Sequence, residues 1–232
     1  MLSIVIPTKN EASSLPTLLN SIKRQSLQPA QIIIADASST DGTADIAREE
    51  GCEVVEGGLP AVGRNRGADA VHTQFLLFLD ADVILDDDRF LEKAIAEMQK
   101  RDLDVATCNV KPLSKRWIDL FFHNLYNRYM RLVVKWHPVA PGFCIFTTRE
   151  MHQKIGGFDE TITFCEDHDY VIRASSKGRF AILQTVQVAV SVRRFDRDGR
   201  HTIAIKYLLA EIYMLIIGPI RTNIFNYTFG HK

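Results

Sequence analysis

The stretch Phe75-Leu76-Leu77-Phe78-Leu79-Asp80-Ala81-Asp82 constrains the fold more than any other part of this chain. A short, uninterrupted apolar run ends abruptly in two carboxylates one residue apart. Strands buried on both faces of a parallel sheet read this way. In open α/β sheets, ligands bind beyond the carboxyl ends of the strands, so Asp80 and Asp82 are expected at a ligand site. On extended backbone their side chains would point to the same side. Two hard oxygen ligands with open positions left over suit a divalent cation that also holds phosphates. Asp86/Asp88, Asp102/Asp104, Asp167/Asp169 and Asp196/Asp198 repeat the spacing, but only Asp80/Asp82 closes an uncharged apolar strand. The other pairs are expected in solvated turns or on helix surfaces.

The segments before and after this strand alternate. Leu2 to Pro7 reads as a buried strand followed by the loop Thr8-Lys9-Asn10-Glu11, and Ala12, Leu15, Leu18, Leu19 and Ile22 then recur at helical spacing. Gln31 to Asp36 is a second strand, and Ser38 to Thr43 is a turn with helix-capping residues that leads into a helix to about Glu50. Glu53 to Glu56 is a short third strand, and Gly63-Arg64-Asn65-Arg66-Gly67 opens a helix reaching about Val71. Phe90 to Gln99 reads as an amphipathic helix and Asp104 to Cys108 as another strand. This order predicts an α/β fold, a mostly parallel central sheet with helices on both faces. Neither the dinucleotide Gly-x-Gly-x-x-Gly nor the phosphate-loop Gly-Lys-Ser/Thr is present.

Composition narrows the class. The 232 residues fit one large domain, and the net charge of zero does not indicate a nucleic-acid surface. The four cysteines lack metal-type spacing and read as reduced thiols of a cytoplasmic protein. Met1-Leu2-Ser3 reads straight into a strand, so no signal peptide is expected, and no apolar run reaches the ~20 residues of a membrane span.

The second half changes character. Ile118, Phe121, Phe122, Leu125, Tyr129, Leu132, Val133 and Trp136 form one helical stripe, while Asp119, Asn124, Asn127, Arg128, Arg131 and Lys135 lie on the other face. Such a helix either packs its stripe on the core or lies in a membrane interface, and the pattern alone does not separate the two. Glu166-Asp167-His168-Asp169 opens a helix, Ala181 to Ser191 is a strand ending at Arg193-Arg194, and Ile203 to Ile220 is a nearly all-apolar helix interrupted by Lys206 and Glu211. The last is buried, inserted at a membrane or paired with a second copy. Residues 1–200 are expected as the main domain, with 1–110 and 111–200 as its two halves and 201–232 as an apolar helix and tail.

Six motifs in order make the chain resemble the family-2 glycosyltransferases, which have the GT-A fold. They are Ser3-Ile4-Val5-Ile6-Pro7-Thr8-Lys9-Asn10-Glu11, Asp36-Ala37-Ser38-Ser39-Thr40-Asp41-Gly42-Thr43, Gly63-Arg64-Asn65-Arg66-Gly67, Leu79-Asp80-Ala81-Asp82, Gly156-Gly157-Phe158-Asp159-Glu160 and Glu166-Asp167-His168-Asp169. The resemblance covers residues 2–178 and implies an inverting, metal-dependent transferase using a nucleoside-diphosphate sugar linked to UDP or GDP. It implies that Pro7, Thr8 and Glu11 hold the nucleoside and that Asp36 contacts the base, although Ala37 stands where the family often has a second acid. It places Arg64 near the base and diphosphate, and Asp80, Ala81 and Asp82 at the metal–diphosphate site with Mn2+ or Mg2+. Asp167 becomes the base that takes the acceptor's proton. Arg193 and Arg194, with His201, are candidates to close over the diphosphate. The expected acceptor is a glycan or a lipid-linked glycan of cell-envelope polysaccharide or glycolipid synthesis. The expected location is the cytoplasmic face of the membrane, with a homodimer as a further option. A nucleotidyltransferase and a non-catalytic membrane scaffold are the rival readings.

Overall fold

The structure is a computed structural model that describes residues 1–225 and Phe229. Its strands are β1 (Leu2–Thr8), β2 (Gln31–Asp36), β3 (Glu53–Glu56), β4 (Phe75–Leu79), β5 (Val83–Ile84), β6 (Val105–Pro112), β7 (Cys144–Thr148) and β8 (Phe180–Val190). They form one eight-stranded sheet in the order β3-β2-β1-β4-β7-β6-β8-β5. The strands β3, β2, β1 and β4 pair in parallel. β7 then enters antiparallel to both β4 and β6, β8 runs parallel to β6, and β5 pairs antiparallel to β8. The sheet is mostly parallel as expected, and its second half is mixed.

The helices are α1 (Leu15–Lys23), α2 (Thr43–Glu49), α3 (Pro60–Asp69), α4 (Phe90–Arg101), α5 (Trp117–Val133), α6 (Arg149–Lys154), α7 (Glu166–Ser175), α8 (Arg193–Asp198) and α9 (Arg200–Ile216). The sheet separates two apolar layers. Leu77 and Leu79 pack with α1 and α4 residues on one side, and Leu76 and Phe78 pack with α3 and α7 residues on the other. Alternation along β4 supplies both layers, which is why this strand carries no polar residue.

The chain leaves β1 toward β2 and β3, then returns through α3 to β4 on the other side of β1. The carboxyl ends of β1 and β4 therefore flank a topological switch point, where a ligand crevice forms. α3 begins at Pro60, three residues before the expected Gly63, because proline preorganises the first helical turn. Gly67 lets α3 approach β1 closely, since a Cβ there would lie 2.3 Å from Val5 Cγ1.

Two sequence expectations change at this level. β4 ends at Leu79, so Asp80-Ala81-Asp82 forms the turn into β5 and does not continue as extended backbone. The inward face of α5 is also not its aromatic stripe. Asp119, His123 and Met130 are buried, whereas Phe121, Leu125 and Leu132 are exposed. Polar partners explain the inversion. Asp119 receives the fork of Arg200, and the Asn127 amide makes two bonds to the Val110 backbone, at 2.9 and 2.8 Å.

α9 covers most of the expected apolar helix, and the residues 226–228 and 230–232 of the expected tail lie outside the described set. Among the described residues no helix is long and apolar enough to cross a membrane. All four cysteines are free thiols.

Candidate active site

Loops at the carboxyl ends of β1 and β2 are stitched together by side-chain hydrogen bonds. Thr8, fully buried, donates its hydroxyl to Asp36 Oδ1 at 2.9 Å. Asp36 also accepts from the Ser39 amide and hydroxyl, at 2.9 and 2.6 Å. Lys9 Nζ donates to the carbonyls of Ala37 and Ser38, each at 2.7 Å. Asn10 and Ser38 both take a left-handed backbone, with φ of 55°. Pro7 lies at the buried end of β1, and Glu11 leads the chain into α1. The predicted nucleoside residues Pro7, Thr8, Glu11 and Asp36 thus share one corner. Within it, Thr8 acts directly on Asp36 by fixing its carboxylate.

Arg64 joins this half of the molecule to the other. Its side chain is only 3% exposed. Nη2 donates to Asp80 Oδ1 at 2.9 Å and to the Gly142 carbonyl at 3.1 Å, and Nη1 donates to Glu166 Oε1 at 2.5 Å. Burial alone would make the guanidinium easier to deprotonate. The charges of Asp80, Glu166 and Asp167 outweigh that and hold it raised. Burial also raises the Glu166 carboxyl, with Arg64 opposing and Asp167 adding to the rise. Asn65 continues the link, donating to the Phe158 carbonyl at 2.9 Å and accepting from its amide at 2.8 Å. Phe158 in turn stacks on Tyr170 of α7, with ring centroids 4.1 Å apart. The Arg64-Asn65 and Gly156-to-Glu160 motifs therefore meet as one clamp.

Asp167 stands in the first turn of α7, after Cys165 at φ 61°. Its Oδ2 accepts the Gly142 amide at 2.6 Å, and its Oδ1 accepts the His168 amide at 2.9 Å. The chain Asp80–Arg64–Gly142–Asp167 thus connects the β4 turn to the α7 carboxylate through direct hydrogen bonds. Gly142 has no room for a side chain here, because a Cβ would lie 2.9 Å from Asp167 Oδ2 and 3.0 Å from Arg64 Nη2. Gly142→Ala is expected to cost about 1–3 kcal/mol of stability by overpacking. The larger effect is a ~100-fold loss of turnover from a misplaced carboxylate, measured by steady-state kinetics beside a urea melt.

Asp82 faces a different cation. Arg193, on α8, places Nη2 3.1 Å from Glu11 Oε2 and 3.7 Å from Asp82 Oδ2, and its Nη1 donates to Ser14 Oγ at 2.7 Å. The hydrogen bond from the Ser191 amide to the Asp82 carbonyl, 3.0 Å, pins the end of β8 beside this turn. Arg194 donates instead to the Tyr207 hydroxyl at 3.1 Å. Burial, then the neighbouring charges of Asp80 and Glu11, push the Asp82 carboxyl up to about 6 against the pull of Arg193 and Arg194. No group of three or more side-chain ligands occurs among the described residues. An ion held by Asp80 and Asp82 would thus have to complete its shell with phosphate and water oxygens. Among the described residues, the buried Arg193 Nε has no hydrogen-bond partner, so the corner also keeps an unused donor.

A second buried network lies behind Asp167. His168 Nδ1 is 2.8 Å from Glu211 Oε1 on α9, and the Tyr129 hydroxyl donates to Glu211 Oε2 at 3.1 Å. Burial opposes the charged imidazole, but Asp167 and Glu211 push it up to about 9. The stability from this shift is complete below the unfolded value near 6.5 and is lost as pH rises through about 9. Glu211→Gln removes the Glu211 part of this shift and leaves that of Asp167, so it should destabilise the fold by about 1–2 kcal/mol below pH 6.5, with the deficit fading above pH 9. Urea titrations at a series of pH values measure it, and a pH-independent deficit would show that the ion pair does not carry the effect.

The sequence singled out Asp80, Asp82, Arg64 and Asp167, which the fold brings together. It did not single out the Glu166 and Gly142 contacts to Arg64 and Asp167, or the link from Glu211 to His168. Lone polar residues inside apolar segments, such as Glu211 in α9, were the available signal. Arg193 was legible only as part of an Arg-Arg pair, since the choice between neighbours depends on how β8 exits the sheet.

Comparison with known proteins identifies the family and the fold. Residues 3–156 match the model of the family described as glycosyl transferase family 2. A PGL/p-HBAD biosynthesis glycosyltransferase of Mycobacterium bovis is 31% identical over 229 residues, covering 92% of this chain and 84% of the relative. The 4,4'-diaponeurosporenoate glycosyltransferase of Staphylococcus haemolyticus is 32% identical over 140 residues, 56% of this chain and 34% of the relative, so this chain spans about a third of that protein's length. Among solved structures, mannosyltransferase PcManGT from Pyrobaculum calidifontis, in complex with GDP-Man and Mn2+, superposes with a TM-score of 0.74. It is 19% identical, and the match covers 93% of this chain and 64% of that one, a likeness of fold. The sheet with its flanking helices is the GT-A fold, and the chain belongs to glycosyl transferase family 2.

Proposed function

We propose that this protein transfers a sugar from a UDP- or GDP-linked donor to an acceptor hydroxyl with inversion at the anomeric carbon. The observation that carries the reading is the hydrogen-bonded chain from Asp80 through Arg64 and Gly142 to Asp167. It fixes a donor-side carboxylate turn and a single base candidate relative to each other, as direct displacement requires. Pro7, Thr8, Glu11 and Asp36 hold the nucleoside. Asp82 and Asp80, flanking Ala81, hold Mn2+ or Mg2+. The ion, when bound, would neutralise charge developing on the departing diphosphate.

The chain's own residues do the rest. Arg64 orients Asp80 and the Gly142 backbone, and Gly142 orients Asp167. Asp167 accepts the proton of the attacking hydroxyl at its carboxylate. Arg193 and Arg194 offer guanidinium groups to the diphosphate, and guanidinium forks match phosphate geometry. The acceptor class we favour is a glycan or lipid-linked glycan, approaching between α5, the Gly142-Phe143 loop and Asp167. Product analysis with a panel of UDP- and GDP-sugars tests the reaction type. Release of nucleoside diphosphate with a new glycoside supports it. Release of pyrophosphate identifies a nucleotidyltransferase, and no turnover with any acceptor mixture identifies a scaffold.

A further inference from the structure

The two tryptophans of the chain, Trp117 and Trp136, bracket α5 and are 75% and 83% exposed. Between them Leu120, Phe121, Leu125 and Leu132 also face outward. α9 lies alongside. Asp119 meets Arg200, Phe122 meets His201, and Tyr129 meets Glu211, so contacts advance in step and the helices run parallel. α9 buries Ile203 and Ala210 and exposes Ile205, Leu208, Ile212 and Leu215 on the opposite side. This recurrence at three and four residues is one continuous stripe. An exposed apolar surface built from two adjoining helices calls for a partner.

Charge identifies the partner. Each of the two helices carries one carboxylate, Asp119 in α5 and Glu211 in α9, and both turn inward to Arg200 and His168. Arg128, Arg131 and, just past the end of α5, Lys135 are exposed beside these apolar residues and not opposite them as the sequence pattern suggests, since Arg128 lies seven residues after Phe121 and four before Leu132. The surface is therefore apolar and basic although the whole chain is neutral. In a two-fold dimer each patch meets its own copy, which would bring these cations together. A bilayer with anionic headgroups satisfies both features, because aromatic rings sit at the headgroup level and basic side chains meet lipid phosphates.

We infer that α5 and α9 form a docking face for an anionic membrane surface, lying in its plane. Combined with the proposed reading of the site, this face delivers a lipid-borne acceptor to Asp167, since α9 reaches His168, beside Asp167, through Glu211.

The test uses vesicles alone, without donor or acceptor, so its failure leaves the transferase reading standing. Because both tryptophans lie on the face, selectively excited tryptophan emission reports this surface alone. Vesicles of phosphatidylcholine with phosphatidylglycerol should float with the protein, shift its emission to the blue and allow quenching by brominated lipid. Phosphatidylcholine alone should bind far more weakly. Replacing Arg128, Arg131 and Lys135 together by serine should weaken partitioning about 100-fold, with circular dichroism unchanged. Flotation without an emission change would place the contact elsewhere and overturn the inference. Absence of flotation, or a lipid-independent blue shift that tracks dimer formation in sedimentation equilibrium, would overturn it equally.

Discussion

Asp167→Asn should lower sugar transfer to a hydroxyl by about 10²–10⁴-fold, while nucleotide affinity stays within error of the wild type. The substitution preserves shape, and the amide oxygen can still accept from Gly142 or His168 as Asp167 does. What it removes is the ability to take a proton. A loss confined to turnover therefore identifies a base. An equal loss of nucleotide binding would point to a collapsed site. The same variant separates acceptor classes. A lipid phosphate is already ionised and needs no proton acceptor, so with such an acceptor the variant would retain most of its activity.

Arg64→Ala should be the most destabilising single change in the site, by about 3–5 kcal/mol. Three carboxylates lean on this one guanidinium: Asp80 and Glu166 directly, and Asp167 through its charge. Removing it leaves them close together with the Gly142 carbonyl and no shared cation. Arg64→Lys should recover only part of the loss, because an ammonium cannot reproduce the fork to Asp80, Glu166 and Gly142. Urea denaturation measures both variants. A deficit below about 1 kcal/mol for Arg64→Ala would mean that the pairs are solvated in practice and do not join the two halves.

Much of the parallel half was legible because its signals are local. The apolar strands end in Pro7-Thr8, Asp36 and Asp80, and the intervening segments carry helix periodicity. The mixed half was less so. Strand direction for β7 is a property of pairing with β4 and β6, and no residue within Cys144–Thr148 encodes it. α5 misled for a physical reason. A helix normally buries its apolar stripe, yet here Asp119 and Asn127 have partners in Arg200 and Val110, and paired polar groups can be buried. Those partners lie 81 and 17 residues away in sequence, beyond any local pattern. In the candidate site, the motifs pointed to Asp80, Asp82 and Asp167, which the fold brings near one another. The Arg64 fork that links them required knowing that α3, the β4 turn and α7 converge.

The most direct test of the donor site is calorimetric titration with UDP and with GDP, with and without Mn2+, comparing the wild type with Asp82→Asn. Binding of one nucleotide that depends on Mn2+ and is lost in the variant is expected, since Asp82 is the carboxylate not already paired with Arg64. Metal-independent binding that survives Asp82→Asn would contradict this expectation.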